Sequence, residues 1–402
     1  MTVKRRTIGL CFLAAILEGA DIVSMGLAAP MVAREFGFGP GLIGLILTAT
    51  IVGLMIGAAI GGRLGDRWGR KRTLVLSFVV LGIFALATTQ AYDGPSFIAA
   101  RALCGLGIGG AFPNLIAIAA EASPAERRAT GIGLMFAGQP VGGTLLAIFV
   151  AMTTGMLDWR TIFVIAGVLP LLLAPVLMAA LPESVAFKAA RAHGGGQALP
   201  AGQALFGGDR TGITLLLWVC YGFTQVIVYL LNNWLPTLMV AKGFTPQQAG
   251  IISAFENAGA AAGCVALGML ADRGRLRSVL VTTYAITAIG LWALGALQGL
   301  VPVVIAGIVV GFFAIGGQFL LYGLAPGFYP VLGRATGVGA AVSVGRLGAI
   351  SGPLAAGALL AAGLSPALVL ICAMPCALIG GAAALALATR SRQHVPDPIK
   401  LD

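Results

Sequence analysis

Histidine is almost missing from this chain, with two in 402 residues, His193 and His394, both in polar stretches away from any apolar run. A histidine proton relay inside an apolar core is thereby excluded. The six cysteines (Cys11, Cys104, Cys220, Cys264, Cys372, Cys376) all sit within apolar segments at no metal-ligand spacing, so they indicate packing and define neither a metal site nor a redox compartment. Neither HExxH nor GxSxG occurs, which removes those hydrolase chemistries, and no cofactor is expected. Charge is scarce as well. Charged residues make up 10% of the chain against 58% hydrophobic, with a mean hydropathy of +0.98, which excludes a water-soluble domain of this size.

What the chain does hold is a series of apolar runs of helical length, without the alternation of a transmembrane barrel. They predict twelve spans near 8–32, 41–62, 73–91, 95–120, 128–153, 160–181, 211–237, 247–270, 278–298, 302–325, 335–362 and 366–389, and so an all-α membrane protein. The net charge of +11 does not indicate nucleic acid, because of where the charge lies. With the N-terminus inside, only Arg34, Arg160 and Lys242 fall in outside loops and Arg101 and Arg346 within helices; the other basic residues are all cytoplasmic. Both termini are therefore expected in the cytoplasm. The start, MTVKRRTIGLCFLAAILEGA, imitates a signal peptide, but the apolar stretch runs on past Glu18 and its removal would leave an odd number of spans.

Two strings recur at one offset. GRLGDR at 62–67 returns as GMLADR at 268–273, and RATG at 128–131 returns at 334–337, both 206 residues later. The chain thus reads as two six-helix pseudo-repeats, 1–182 and 211–402, joined by a polar cytoplasmic linker at 183–210. Six spans per half put both halves in the same orientation, which favours a cavity between two bundles that rock about it. Glycine series such as Gly53, Gly57 and Gly61 point to close helix packing, and Gly138-Gln139-Pro140 in the fifth span reads as a hinge or a tight contact.

Five charges lie inside the spans: Glu18, Asp21, Arg101, Glu256 and Arg346. Each costs about 2.5 to 3.5 kcal/mol at the bilayer centre on insertion scales, so each is expected to face a partner or a cavity. None has a copy 206 residues away, which separates them from the repeated scaffold. By helix rise, Asp21 and Arg101 reach similar depths, and Glu256 and Arg346 both come near the midplane, so an Asp21/Arg101 pair and a Glu256/Arg346 pair are expected. Carboxylates must then carry any proton: Glu18, Asp21 and Glu256 are the candidates, the alternative being permanent ion pairs. Arginine suits a substrate carboxylate because its fork meets both oxygens, which nominates Arg101 and Arg346. Flat walls and hydrogen-bond partners for a ring are offered by Tyr221, Gln225, Tyr229, Asn232, Asn233 and Trp234, by Gln318 and Tyr322, and by Asn114 and Gln139.

At the cytoplasmic turns, Asp66 is placed to accept bonds from a neighbouring helix N-terminus, while Arg67, Arg70 and Lys71 reach carboxylates or lipid headgroups. Glu121 and Arg128 belong to the same face, as do the second-half counterparts Asp272 and Arg334.

These residues carry a resemblance. The GRLGDRWGRKR turn, Arg101-x-x-x-Gly105-x-Gly107-x-Gly109, Leu181-Pro182-Glu183-Ser184 and the twelve spans resemble the major facilitator superfamily over the whole chain. The helix 1 pair in Leu17-Glu18-Gly19-Ala20-Asp21, with Glu121, Arg128, Arg334 and Arg346, is similar to the aromatic acid/proton symporters. What the resemblance implies is a bacterial cytoplasmic-membrane importer working by alternating access as a monomer. Its partners would be a proton and an aromatic carboxylate such as 3-(3-hydroxyphenyl)propionate, benzoate, hydroxybenzoate or gentisate. The turn after helix 2 would then be a latch favouring the outward-open state. Proton-driven efflux is the rival direction. A receptor is disfavoured by the short linker and tails.

Overall fold

Every long apolar run becomes a helix. The computed structural model describes residues 3–153, 158–183 and 199–390, and no strand occurs among them. The linker stretch 184–198 with Ser184, Lys188, Arg191 and His193, and the tail from 391 with Arg392, His394 and Lys400, lie outside the described residues.

The spans are α1 (Val3–Phe36), α2 (Pro40–Trp68), α3 (Arg70–Thr88), α4 (Gly94–Ala122), α5 (Arg128–Phe136 and Gly138–Met152) and α6 (Trp159–Ala180). After a short helix, Ala201–Phe206, come α7 (Thr211–Ala241), α8 (Pro246–Leu270), α9 (Leu276–Ala296), α10 (Leu300–Val310 through Gly316–Leu324), α11 (Arg334–Ala361) and α12 (Pro366–Ile371 and Met374–Arg390). By length and composition eleven stretches qualify as membrane spans, one of them the 50 residues Gln247–Ala296. Gly274, at φ 77°, breaks that stretch into α8 and α9, which makes twelve helices. Several helices outrun the predicted spans because their polar ends continue the backbone ladder beyond the apolar segment.

Local chemistry sets the ends. Gly37 and Gly243, 206 residues apart, both take positive φ (67° and 100°) between the paired helices α1/α2 and α7/α8, and Pro40 and Pro246 then open α2 and α8. Asp93 with Ser96 and Thr245 with Gln248 form capping boxes on α4 and α8. At the far end from the basic turns, Glu35 of α1 accepts from the Trp159 indole (2.6 Å) and from Arg160 (2.8 Å), clasping α1 to the start of α6. The Arg160 guanidinium, followed by the indole N–H, holds the Glu35 carboxyl below the usual carboxylate range.

The repeat is carried into the packing. A Cβ on Gly53 or Gly57 of α2 would strike the carbonyls of Ala102 and Leu106 on α4. Likewise, one on Gly259 or Gly263 of α8 would strike those of Ile308 and Phe312 on α10. Each residue in the second seam stands 206 positions after its counterpart in the first, so two backbones are allowed the same close approach in each half. In α5 the helix breaks at Ala137, and beyond it Gly138 and Gly142 lie against the carbonyls of Phe12 and Ile16 on α1. The glycine-proline stretch is thus both a break and a tight contact. A π-helical turn, Gly311–Ile315, interrupts α10.

Contacts between the halves join α2 to α11, α5 to α8 and α10, and α4 to α11. They gather toward the basic end, where Gly62 meets the Ala335 carbonyl, Gly339 meets that of Ala58, and Gly268 meets that of Ala129. Toward the opposite end, Gly26, Gly41, Gly44 and Gly250 have nothing within 4 Å of where a Cβ would stand.

Candidate functional site

The helices α5 and α11 begin without a capping side chain of their own: the residues before them are Arg127 and Gly333. The cap comes from the other half. Asp66, at the end of α2, accepts from the Ala335 and Thr336 backbone amides at 3.2 and 2.7 Å. Asp272, after α8, accepts from those of Ala129 and Thr130 at 3.0 and 2.7 Å and from the Thr130 hydroxyl at 2.6 Å. The two repeated strings of the sequence are therefore each other's binding partners, crossed between halves. A carboxylate on a helix N-terminus meets both free amides and the positive end of the dipole.

The first-half turn adds an ion-pair network. Arg70 is fully buried, pairs with Glu121 and with Asp66 (3.7 Å), and donates to the Val331 carbonyl at 2.8 Å. Arg334 reaches the same Glu121 at 3.0 Å. Glu183, from the Leu-Pro-Glu run, accepts from the Arg70 and Lys71 amides at the start of α3. Arg67 is exposed, and Arg128 lies half-buried beside the Asp272 contact. Leu276 and Gly327 stand where this network has Arg70 and Glu121, so it is one-sided. Asp66→Asn removes the charge and one acceptor lobe, and is expected to shift the closed basic end toward opening roughly tenfold. Faster labelling of a Phe319→Cys reporter by a bulky thiol reagent from that side checks this; an unchanged rate contradicts it.

Deeper in the first half, Asp21 and Arg101 meet as their depths predict. The guanidinium donates to both carboxylate oxygens, at 3.3 and 3.1 Å, and all of these atoms are buried. Thr50 accepts from Arg101 Nε at 3.3 Å, the Cys104 thiol donates to Asp21 at 3.3 Å, and the Phe163 ring lies 5.4 Å from the guanidinium. Neither Thr50 nor Cys104 was nominated by the sequence; Cys104 sits one turn after Arg101, and that spacing is the signal available.

The central site joins both halves. Arg346 of α11 is 2% exposed, donates to the Tyr229 hydroxyl, and lies 5.4 Å from the Phe112 ring and 5.5 Å from the Tyr229 ring. No carboxylate bonds to it among the described residues. The expected Glu256/Arg346 ion pair is not formed. Glu256 is buried on α8, where among the described residues its carboxylate takes a bond only from Asn257 (3.3 Å). The two residues share a depth but stand on helices that pack elsewhere, α8 on α10 and α11 on α7. Another acid of the interior, Glu18, is fully buried on α1, with one oxygen 3.5 Å from the Gln139 amide and the other without a partner.

Beneath Arg346, toward the basic end, rings from both halves close together. Tyr322 lies 5.8 Å from Phe112, 5.1 Å from Phe136 and 5.1 Å from Tyr221, and Phe136 lies 4.8 Å from Phe319. Gln318 and Gln225 donate to the Tyr322 hydroxyl at 2.7 and 3.4 Å. Phe112, Phe136 and Phe319 were missed because an isolated phenylalanine in an apolar run carries no signal of the helix it faces. Asn114 is placed elsewhere: its amide donates to the Gly61 and Gly110 carbonyls, both at 2.9 Å, and so staples α4 to α2. Asn233 is exposed one turn above Tyr229 and bonds back to that residue's carbonyl at 2.8 Å.

A buried arginine with no carboxylate bonded to it among the described residues thus lies between two bundles joined by crossed Asp caps. The sequence matches the Major Facilitator Superfamily profile over residues 11–273 and again over 217–400. This chain belongs to that superfamily. It is 44% identical over 390 residues to the 3-(3-hydroxy-phenyl)propionate transporter of Escherichia coli K12, covering 97% of this chain and 95% of the relative. To the 4-hydroxybenzoate transporter PcaK of Pseudomonas aeruginosa it is 32% identical, over 86% and 84%. The fold is similar to that of the proton:xylose symporter XylE, with a TM-score of 0.79 at 17% identity, covering 98% of this chain and 96% of that one. As a member of the superfamily the chain is a multi-pass membrane transporter and not an enzyme. The superfamily's paired matches overlap the 206-residue repeat, which accounts for the duplicated seams and caps.

Proposed function

We propose that this transporter imports an aromatic carboxylic acid together with a proton, of the type named for its relatives, with 3-(3-hydroxyphenyl)propionate the leading candidate. The observation that carries this reading is Arg346, buried between aromatic rings with no protein carboxylate bonded to it among the described residues. A substrate carboxylate supplies the missing anion, and Phe112, Tyr229 and Tyr322 offer ring faces. Gln139 and Gln318 hold the neighbouring polar atoms in place. Arg101 is committed to Asp21 and serves as the second candidate anchor. The basic end lies in the cytoplasm with both termini, in the bacterial inner membrane, and the protein works as a monomer. In that orientation the crossed caps of Asp66 and Asp272, with Arg67, Arg70, Glu121, Arg128 and Arg334 around them, are the inner gate in its closed form.

Glu18 carries the proton, with Asp21 as the more tightly paired acid behind it. Glu18 is fully buried with one oxygen that has no partner, so taking up a proton removes the cost of burying its charge, and a substrate anion on Arg346 adds to the reason for it to do so. The reading is tested by uptake of a panel of labelled aromatic acids in energised vesicles with and without a proton gradient. Acid-driven accumulation is expected, and extrusion under the same gradient would make the protein an exporter. Glu18→Gln is expected to keep substrate exchange down a concentration gradient but to lose proton-driven accumulation by tenfold or more. Full accumulation in that variant would move the proton site elsewhere.

A further inference from the structure

Glu256 is the one buried acid whose role the central site leaves open. Its Oε2 accepts from Asn257 at 3.3 Å, its Oε1 has no partner, and no ion pair reaches it among the described residues. One turn earlier on the same face, the Ser253 hydroxyl also lacks a partner. Two buried orphan polar atoms side by side call for a ligand that both donates and accepts.

The repeat explains why they are orphaned. Counting back 206 residues, Glu256 corresponds to Thr50, Gly307 to Arg101 and Ile227 to Asp21. In the first half, Arg101 bonds to both Thr50 and Asp21. In the second half an isoleucine replaces the acid of that cradle, an acid stands in place of its threonine, and the cation is gone. Glycine stands at 307, and a Cβ there would meet nothing closer than the Ile252 carbonyl at 3.4 Å and Glu256 Cβ at 3.8 Å. By helix rise Glu256 lies about 21 Å above the end of α8 and Arg346 about 18 Å above the start of α11, so the two sit at one level.

We propose that Glu256 and Ser253 form the subsite for a hydroxyl group on the substrate ring. The assignment deepens the aromatic-acid reading and rests on it. With the carboxylate on Arg346, the ring extends across α7 and α10 toward α8. There the phenol O–H donates to Glu256 Oε1 and its oxygen accepts from the Ser253 hydroxyl. A site with such orphaned groups discriminates strongly against a ligand that lacks the hydroxyl, because binding it would leave the groups buried and unpaired.

The test is counterflow exchange in proteoliposomes without a proton gradient, with 3-(3-hydroxyphenyl)propionate and 3-phenylpropionate measured on the same preparation. The ratio of their half-saturation constants is then independent of how much of a variant has folded. The wild type is expected to favour the hydroxylated acid. Ser253→Ala and Glu256→Leu are each expected to bring the ratio about tenfold nearer to one, with Glu256→Gln between them and the wild type. Gly307→Ser, which fits the space and bonds to Glu256 internally, is expected to act in the same direction. Unchanged ratios overturn the subsite, as does a Glu256→Gln variant that keeps the ratio and loses only proton-driven accumulation, since that is the behaviour of a proton carrier. A wild type that exchanges neither acid overturns the subsite as assigned to 3-(3-hydroxyphenyl)propionate, and one that exchanges no member of the aromatic-acid panel overturns the aromatic-acid reading itself.

Discussion

Arg346→Lys is expected to weaken aromatic-acid transport about a hundredfold, the equivalent of about 2.7 kcal/mol, while leaving the protein folded. Lysine keeps the charge but loses the planar fork that meets both carboxylate oxygens and lies over the Phe112 and Tyr229 rings. Stability should be retained because Arg346 has no carboxylate partner to strand among the described residues; its protein bond is to the Tyr229 hydroxyl. Removing an uncompensated buried cation relieves a desolvation penalty, so Arg346→Ala is expected to lose transport further and to unfold at an equal or higher temperature. Half-saturation constants from initial uptake rates and thermal unfolding of the purified protein check the two halves of the prediction. A change in affinity under twofold would send the carboxylate to another site.

Arg101→Ala is expected to do the reverse and fail by instability. Asp21 would keep a buried carboxylate with only the Cys104 thiol still donating to it, and breaking such a pair from one side costs about 3 to 5 kcal/mol. The double variant Asp21→Ala with Arg101→Ala removes both charges and is expected to recover a large part of the loss. The measurement is a double-mutant cycle on unfolding temperature and on the yield of folded protein from membranes. Additive losses, with no recovery in the double variant, would mean that the two charges do not stabilise each other. The two arginines differ in their partners: Arg101 is paired with Asp21, while Arg346 has no carboxylate bonded to it among the described residues.

How far the site was legible depends on which coordinate a pattern reports. Depth in the bilayer follows from counting residues along a helix, and it placed Asp21 beside Arg101 correctly. The same count put Glu256 and Arg346 at one level, yet they do not pair, since depth says nothing about which helices are neighbours or which way a side chain faces. Asn114 shows a related gap. A buried amide in a glycine-rich run has two uses, and packing against Gly61 and Gly110 takes its donors. The crossed caps were half legible. The repeated Asp-Arg and Arg-Ala-Thr-Gly strings were visible, and Asp66 was expected on a helix N-terminus, but that each string binds the other half's copy of its companion needed the two bundles brought together.

The twelve helices, the basic end and the duplication are written along the chain because hydropathy, charge and spacing are local properties of the polymer. The partners of its buried charges are not. Whether Arg101 finds an acid, Arg346 a tyrosine hydroxyl, or Glu256 a neighbouring glycine is set by the azimuth of each helix and by which helices touch. Those follow from side-chain packing across the whole bundle.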